Sequence, residues 1–291
     1  MNKKIYLGAI ASAIINDKLW FSNHWFNGLF FYDLKTNEIH YKDCFPNMPV
    51  DAEEFHASAY DITGKLIFTP LTGDKIHVYD LTSGLIDAVD LPNKYKYYTK
   101  AIKIENKVFF ATDDFTILYY DIYEGRCEKD KKLTKLITEY DKKYVCSLIR
   151  EWNQGFDLVS EENKKCIHIN IIDGSIQIID LPSSAVNIYY SYWNKNNVYI
   201  SSNDSMDILC IDTERSERKK YLAKDLGWRK GIKCAPYSLL FSTDIGVVLT
   251  NYYCDHIAVI DEESNVVKSL LDLPDDSFVT DYLVSAQQDA I

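Results

Sequence analysis

Residues 76–84 read Ile-His-Val-Tyr-Asp-Leu-Thr-Ser-Gly: a short β-branched and aromatic run that ends in Asp80 and reaches Gly84 four residues later. Such a run has the composition of a strand. Its terminal Asp can accept hydrogen bonds from the amides of the following turn, and the Gly tolerates the left-handed backbone that closes a hairpin. The unit recurs along the chain. It returns as Leu29-Phe-Phe-Tyr-Asp33 with Asn37, Ile117-Leu-Tyr-Tyr-Asp121 with Gly125, and Ile167-His-Ile-Asn170 with Gly174. Two further copies are Ile208-Leu-Cys-Ile-Asp212 with Ser216 and Ile257-Ala-Val-Ile-Asp261 with Asn265.

The surroundings of each copy repeat as well. Upstream lies a second apolar segment, such as Lys18-Leu-Trp-Phe21, Lys65-Leu-Ile-Phe68 or Lys107-Val-Phe-Phe110. Before it come a polar turn and another β-rich run, as in His56-Ala-Ser-Ala-Tyr60 or Ile188-Tyr-Tyr-Ser-Tyr192. A fourth segment follows each anchor, so every unit reads as a four-stranded antiparallel meander. Six such units of roughly 48 residues are the mark of a β-propeller, one sheet per blade. The chain resembles the broad propeller superfamily, including its WD40 and YVTN repeat types, over nearly its whole length. Tyr-Asp at 32–33, 79–80 and 120–121 falls where WD40 blades carry Trp-Asp. There is no Gly-His pair, no Trp-Asp and no kelch-like Gly-Gly doublet, so the resemblance names no family within the superfamily.

The expected fold is therefore all-β: a six-bladed propeller of four-stranded antiparallel blades, forming a single domain over 1–291. Seven blades is the alternative. Residues 278–284, Phe-Val-Thr-Asp-Tyr-Leu-Val, repeat the first-strand pattern and could seal the ring beside the N-terminal strand or begin a seventh blade.

Composition sets outer bounds. The 291 residues are 47% hydrophobic and 26% charged, which excludes disorder and leaves ample material for a core. A net charge of −11 provides no global basic field to draw in nucleic acid or anionic lipid. No RNA-recognition or helix-turn-helix pattern is present, so neither nucleic acid nor membrane is an expected partner. The apolar run near the N-terminus is only about ten residues, broken by Tyr6, Gly8 and Ser12, and reads as a strand, not a signal or membrane span. Seven Cys, at 44, 127, 146, 166, 210, 234 and 254, lack the close pairs that zinc and redox sites need. They read as buried reduced thiols, and the cytoplasm is the expected compartment.

The anchors stand 47, 41, 49, 42 and 49 residues apart. The extra residues fall between the fourth strand of one blade and the first of the next, at 43–55, 131–144 and 222–235. In a propeller these connections share one face with the loops joining second and third strands, and long loops on a rigid scaffold often carry binding or catalysis. Loop 43–55 is acidic and runs into His56. Loop 131–144 mixes lysines with Leu133, Leu136 and Ile137 at near-helical spacing. Loop 222–235 holds Trp228, Arg229 and Lys230. The expected ligand contacts are His24, Trp25, Glu53, Trp228, Arg229, Lys230 and Tyr252, a polar rim with aromatic platforms for a small polar ligand, a glycan or a protein segment.

The alternative is an enzyme of hydrolase or lyase type in the same funnel, with Glu54 and His56 as its acid–base candidates. No cofactor and no metal site are expected, although such an enzyme could use a divalent cation. No Gly-x-Ser-x-Gly elbow, phosphate loop or His-Glu-x-x-His is present. His77 and His168, flanked by apolar residues in third strands, read as satisfied structural histidines.

Overall fold

The computed structural model describes residues 7–36, 38–51, 55–138, 145–146, 155–160, 165–180, 188–194, 197–202, 205–212, 214–215, 217–223, 236–243, 246–251 and 254–272. Their strands form small antiparallel sheets, each built from four consecutive strands in chain order. The first holds β1 (Ala9–Ile15), β2 (Lys18–Asn23), β3 (Leu29–Asp33) and β4 (Glu38–Asp43). The second holds β5 (His56–Ile62), β6 (Lys65–Pro70), β7 (Lys75–Asp80) and β8 (Ile86–Asp90). The third comprises β9 (Tyr98–Ile104), β10 (Lys107–Thr112), β11 (Ile117–Asp121) and β12 (Arg126–Lys129), followed by helix α1 (Lys131–Thr138). Next come β13 (Val145–Cys146), β14 (Gly155–Ser160), β15 (Lys165–Asn170) and β16 (Ile176–Asp180). The fifth is β17 (Ile188–Asn194), β18 (Asn197–Ser202), β19 (Ile208–Asp212) and β20 (Arg218–Tyr221). The last is β21 (Tyr237–Thr243), β22 (Gly246–Asn251), β23 (His256–Asp261) and β24 (Val266–Asp272).

Each repeat anchor ends a third strand and caps the turn after it. Asp80 Oδ1 accepts the amides of Thr82 and Ser83, both at 2.9 Å. Asp33, Asp121, Asn170, Asp212 and Asp261 each accept the amides two and three residues ahead in the same way. The residue four beyond the anchor is left-handed at Gly84 (φ 74°), Gly125 (64°), Gly174 (75°) and Asn265 (56°). These amide bonds pull the Asp80 carboxyl below its ordinary range, the Ser83 bond first and then that of Thr82.

A second regularity was not visible in the sequence. In β1, β5, β9, β17 and β21 a bulge interrupts the pairing with the second strand, always near the start of the strand. Ala9 faces Asn23 while Ala11 faces Ser22, and His56 faces Pro70 while Ser58 faces Thr69. A bulge bends a strand and re-aims its side chains, so the first residues of these inner strands leave the regular pleat together.

The core lies in the seams between sheets. Between the first and second sheets Trp20 packs 4.8 Å from the Phe31 ring and 5.2 Å from Tyr79, in a cluster with Leu66, Phe68 and Phe45. β1 lies beside β5 on one side and beside β21 and β22 on the other. There Leu7, Phe21 and Phe30 pack with Val248 and Ile257, joining the first and last sheets. The architecture is an all-β propeller of small antiparallel sheets. Residues 273–291, which include the 278–284 run, lie outside the described residues.

Helix α1 settles part of the loop reading. Leu133 and Ile137 are buried with Ile102, Phe109 and Ile117 of the third sheet and Ile169 of the next. Thr134 Oγ1 accepts the Ile117 amide at 2.9 Å. The near-helical spacing at 131–138 thus makes a real helix, but one that fills a seam, not a loop standing free at a rim.

Candidate functional site

The connection after β4 is held to the face of the 24–28 loop by one side chain. Asn27 Oδ1 accepts the Phe45 amide at 2.7 Å, while its Nδ2 donates to the carbonyls of Phe45 at 2.9 Å and Met48 at 3.3 Å. Its main-chain N–H donates to Val50 O at 2.9 Å. The expected sharing of a face by second-to-third loops and fourth-to-first connections holds here. It holds again where Asp207, in the loop before β19, accepts the Ala223 amide at 2.9 Å just after β20.

Beneath the 44–50 segment runs a chain of hydrogen bonds that crosses the first seam. His77 Nε2 lies 3.0 Å from Pro46 O, His56 Nε2 lies 2.9 Å from His77 Nδ1, and Ser22 Oγ lies 2.7 Å from His56 Nδ1. The proton positions follow from chemistry. A carbonyl only accepts, so His77 Nε2 donates to Pro46. Burial is the main cause lowering His77, to about 4, with the Pro46 bond opposing it and with Lys75 and Asp74 acting in opposite directions. The ring is therefore neutral near pH 7 and its Nδ1 accepts from His56 Nε2–H. His56 is likewise held well below the usual range, first by burial and then by His77. Its Nδ1 is in turn an acceptor, and Ser22 Oγ–H donates to it. The rings of Phe45, Phe55 and Phe68 surround His56 at centroid distances of 4.4, 5.4 and 5.5 Å.

His24 and Trp25 stand where the chain enters the first sheet. His24 is 2% exposed, packs edge-on against Trp25 at 4.5 Å, and is lowered to about 3 by burial. A side chain at Gly8 would meet Trp25 at 3.0 Å and His24 at 3.1 Å. Both pack against the entering chain, His24 buried and Trp25 half-buried. Asn23 and Asn251 fasten the same entering chain. Asn23 Oδ1 accepts the Gly8 amide at 2.8 Å, and Asn251 Nδ2 donates to Leu7 O at 2.7 Å.

Among the remaining expected site residues, Glu53, Glu54, Trp228, Arg229, Lys230 and Tyr252 lie outside the described residues. His56 is described, and the structure brings it to Ser22 and His77. Ser22 was missed, and His77 was read only as packing. One signal for Ser22 was available: a small hydroxyl residue recurs at the fifth position of the second strand, as Ser22, Thr69, Ser201 and Thr250. Among the described residues no group of three or more His, Cys, Asp or Glu side chains is gathered as a metal site. Nor is any helix long and apolar enough to cross a membrane.

No protein-family model matches the sequence, and no curated protein matches it either. Solved structures do. A catalytically inactive virginiamycin B lyase from Staphylococcus aureus, solved with quinupristin, superposes with a TM-score of 0.61 at 14% identity, covering 92% of this chain and 85% of that one. A streptogramin B lyase structure gives 0.61 at 16% identity, covering 95% and 86%. The extracellular domain of a one-component system from Bacteroides thetaiotaomicron gives 0.51 at 13% identity, covering 86% of this chain and 32% of that one. At such identities the likeness carries architecture alone. By its repeats, its sheets and these neighbours, this chain is a β-propeller.

Proposed function

We propose that the chain is a recognition module: a six-bladed ring, closed where the last sheet meets the first, that binds a small polar ligand, a glycan or a protein segment. Binding falls on the face carrying the 43–55 and 222–235 connections, with the 131–144 connection beside them. One observation carries this reading. Asn27 fixes the 44–50 segment at four points, which gives that face a pre-formed loop of the kind that lowers the ordering cost of binding. Glu53, Trp228, Arg229, Lys230 and Tyr252 are its proposed contacts, His24 and Trp25 its support. A cytoplasmic setting goes with it, since Cys44, Cys127, Cys210 and Cys254 carry no disulfide. The test is a thermal-shift screen of the full chain against neutral sugars, amino acids and short peptides. A ligand that binds the parent and loses about tenfold affinity in Asn27→Ala supports the reading. Binding that ignores changes on this face sinks it.

A second reading, an enzyme of hydrolase or lyase type in the same region, is favoured by one specific contact. His56, an acid–base candidate from sequence, is hydrogen-bonded to a serine hydroxyl and oriented by a second histidine. Glu54 stays its proposed partner, and a divalent cation would have to draw on that acidic pair at 53–54.

A further inference from the structure

We propose that Ser22 is a nucleophile activated by His56, that His77 is its positioning residue, and that the seam between the first two sheets accepts an uncharged acyl ester. This rests on the enzymatic reading above. The arrangement has the three parts that an activated hydroxyl requires: a nucleophile donating to a neutral base, the base held by a third group, and that group anchored to backbone. Here they are Ser22 to His56 at 2.7 Å, His56 to His77 at 2.9 Å, and His77 to Pro46 O at 3.0 Å. Every link has one proton and one direction, so the free lone pairs of Ser22 Oγ face away from its base.

The elements contributing these groups are distant in sequence, and each has its own reason to stay put. β2 is paired on both sides, His56 stands at the bulge of β5, and the 44–50 segment is fixed by Asn27. Ser22 is 4% exposed, as suits a water-poor site in which electrostatic effects are strong. Substrate class follows from the surroundings. Phe45, Phe55 and Phe68 enclose His56, an apolar surround that favours an uncharged substrate over a charged one.

The chemistry balances without a further reactant beyond water. Ser22 Oγ attacks the acyl carbon as its proton passes to His56 Nδ1, and the imidazolium keeps its Nε2–H on His77. The C–O bond to the alcohol then breaks, and the alcohol leaves with the proton from His56 Nδ1. Water attacks the acyl-serine, gives a proton to the same nitrogen, and that proton returns to Ser22 as the acid departs.

The test is labelling of the full chain by an uncharged fluorophosphonate, read by intact mass and peptide mapping. Attack forms the Oγ–P bond, breaks the P–F bond and releases the serine proton with fluoride. The expected result is a single adduct on Ser22. The rate should drop about 10²-fold in His56→Gln and to a smaller degree in His77→Asn, with the labelling pH profile of the latter displaced. Near-UV circular dichroism identifies variants that keep the fold. Should His56→Gln fail to fold, the parent decides: its rate should stay flat from pH 8 down through about 6.5, where an ordinary histidine titrates. A parent rate that halves near about 6.5 overturns the proposal, as does no adduct on Ser22 or an unchanged rate in a folded His56→Gln. Thermal-shift binding on the loop face is read separately, so recognition can survive the loss of the nucleophile.

Discussion

Asn27 grips Phe45 from both sides of its peptide unit: Oδ1 takes the amide hydrogen at 2.7 Å, and Nδ2 donates to the carbonyl at 2.9 Å. That double contact ties the connection after β4 to the loop before β3, and Phe45 in turn packs against His56 and Phe68. Asn27→Ala removes three side-chain bonds and leaves buried backbone groups without partners. The expected cost is about 2–4 kcal/mol in urea denaturation, with faster amide exchange in peptides covering 44–50. Asn27→Asp keeps the Phe45 amide acceptor but sets a buried carboxylate oxygen against the Phe45 and Met48 carbonyls, so it should cost at least as much as Asn27→Ala; a smaller loss would mean that Oδ1 does most of the holding.

Trp20 is the largest side chain in the first seam, against Phe31 and Tyr79. Trp20→Ala opens a cavity there and should destabilise by about 3–5 kcal/mol in the same assay. A loss below about 1 kcal/mol would show that the two sheets do not depend on this contact.

The turn anchors predict a graded series. Replacing Asp80 by Ala removes the one oxygen that accepts both turn amides, and the urea midpoint should fall. Asp80→Asn keeps the acceptor, as Asn170 does naturally in its own turn, and should lower the midpoint less. If Asn costs as much as Ala, charge and not the turn bond is what matters at this position.

Buried neutral histidines set the acid side of the stability curve. His24, His56 and His77 are all lowered in the folded state, chiefly by burial, while in the unfolded chain they titrate near 6.5. Between those values the unfolded state binds more protons. Their contribution is therefore present above about pH 6.5 and lost as pH falls toward about 4 for His77 and about 3 for His24. For His77 alone the loss is on the order of 3 kcal/mol. Urea midpoints taken from neutral pH downward should fall across this window, and His77→Gln should flatten part of that slope. A midpoint independent of pH there would contradict the neutral assignment.

Local chemistry made the fold legible. Asp or Asn followed four residues later by Gly or Asn is a turn that forms from its own atoms, and all six anchors make the expected pair of amide bonds. The apolar spacing of Leu133 and Ile137 likewise marked α1, although its placement in a seam depends on which sheet comes next. The histidine chain was not legible. Ser22, His56 and His77 meet across two sheets at separations of 34 and 21 residues, and the bulge that re-aims His56 leaves no mark in composition. His24 shows the opposite failure. A His-Trp pair in a loop looks like a displayed platform, yet the close approach of Gly8 leaves His24 buried and Trp25 half-buried.

Closure of the ring is the claim on which the rest depends, and Asn251 offers the most direct measurement. Its side chain donates to Leu7 O and also lies 3.4 Å from the Ala9 amide, reaching 242–244 residues back along the chain. Hydrogen exchange of Asn251→Ala should therefore rise by about tenfold or more in the peptide covering 7–12, as well as around 247–258. Faster exchange confined to 247–258, with 7–12 unchanged, would contradict a ring closed between the last sheet and the first.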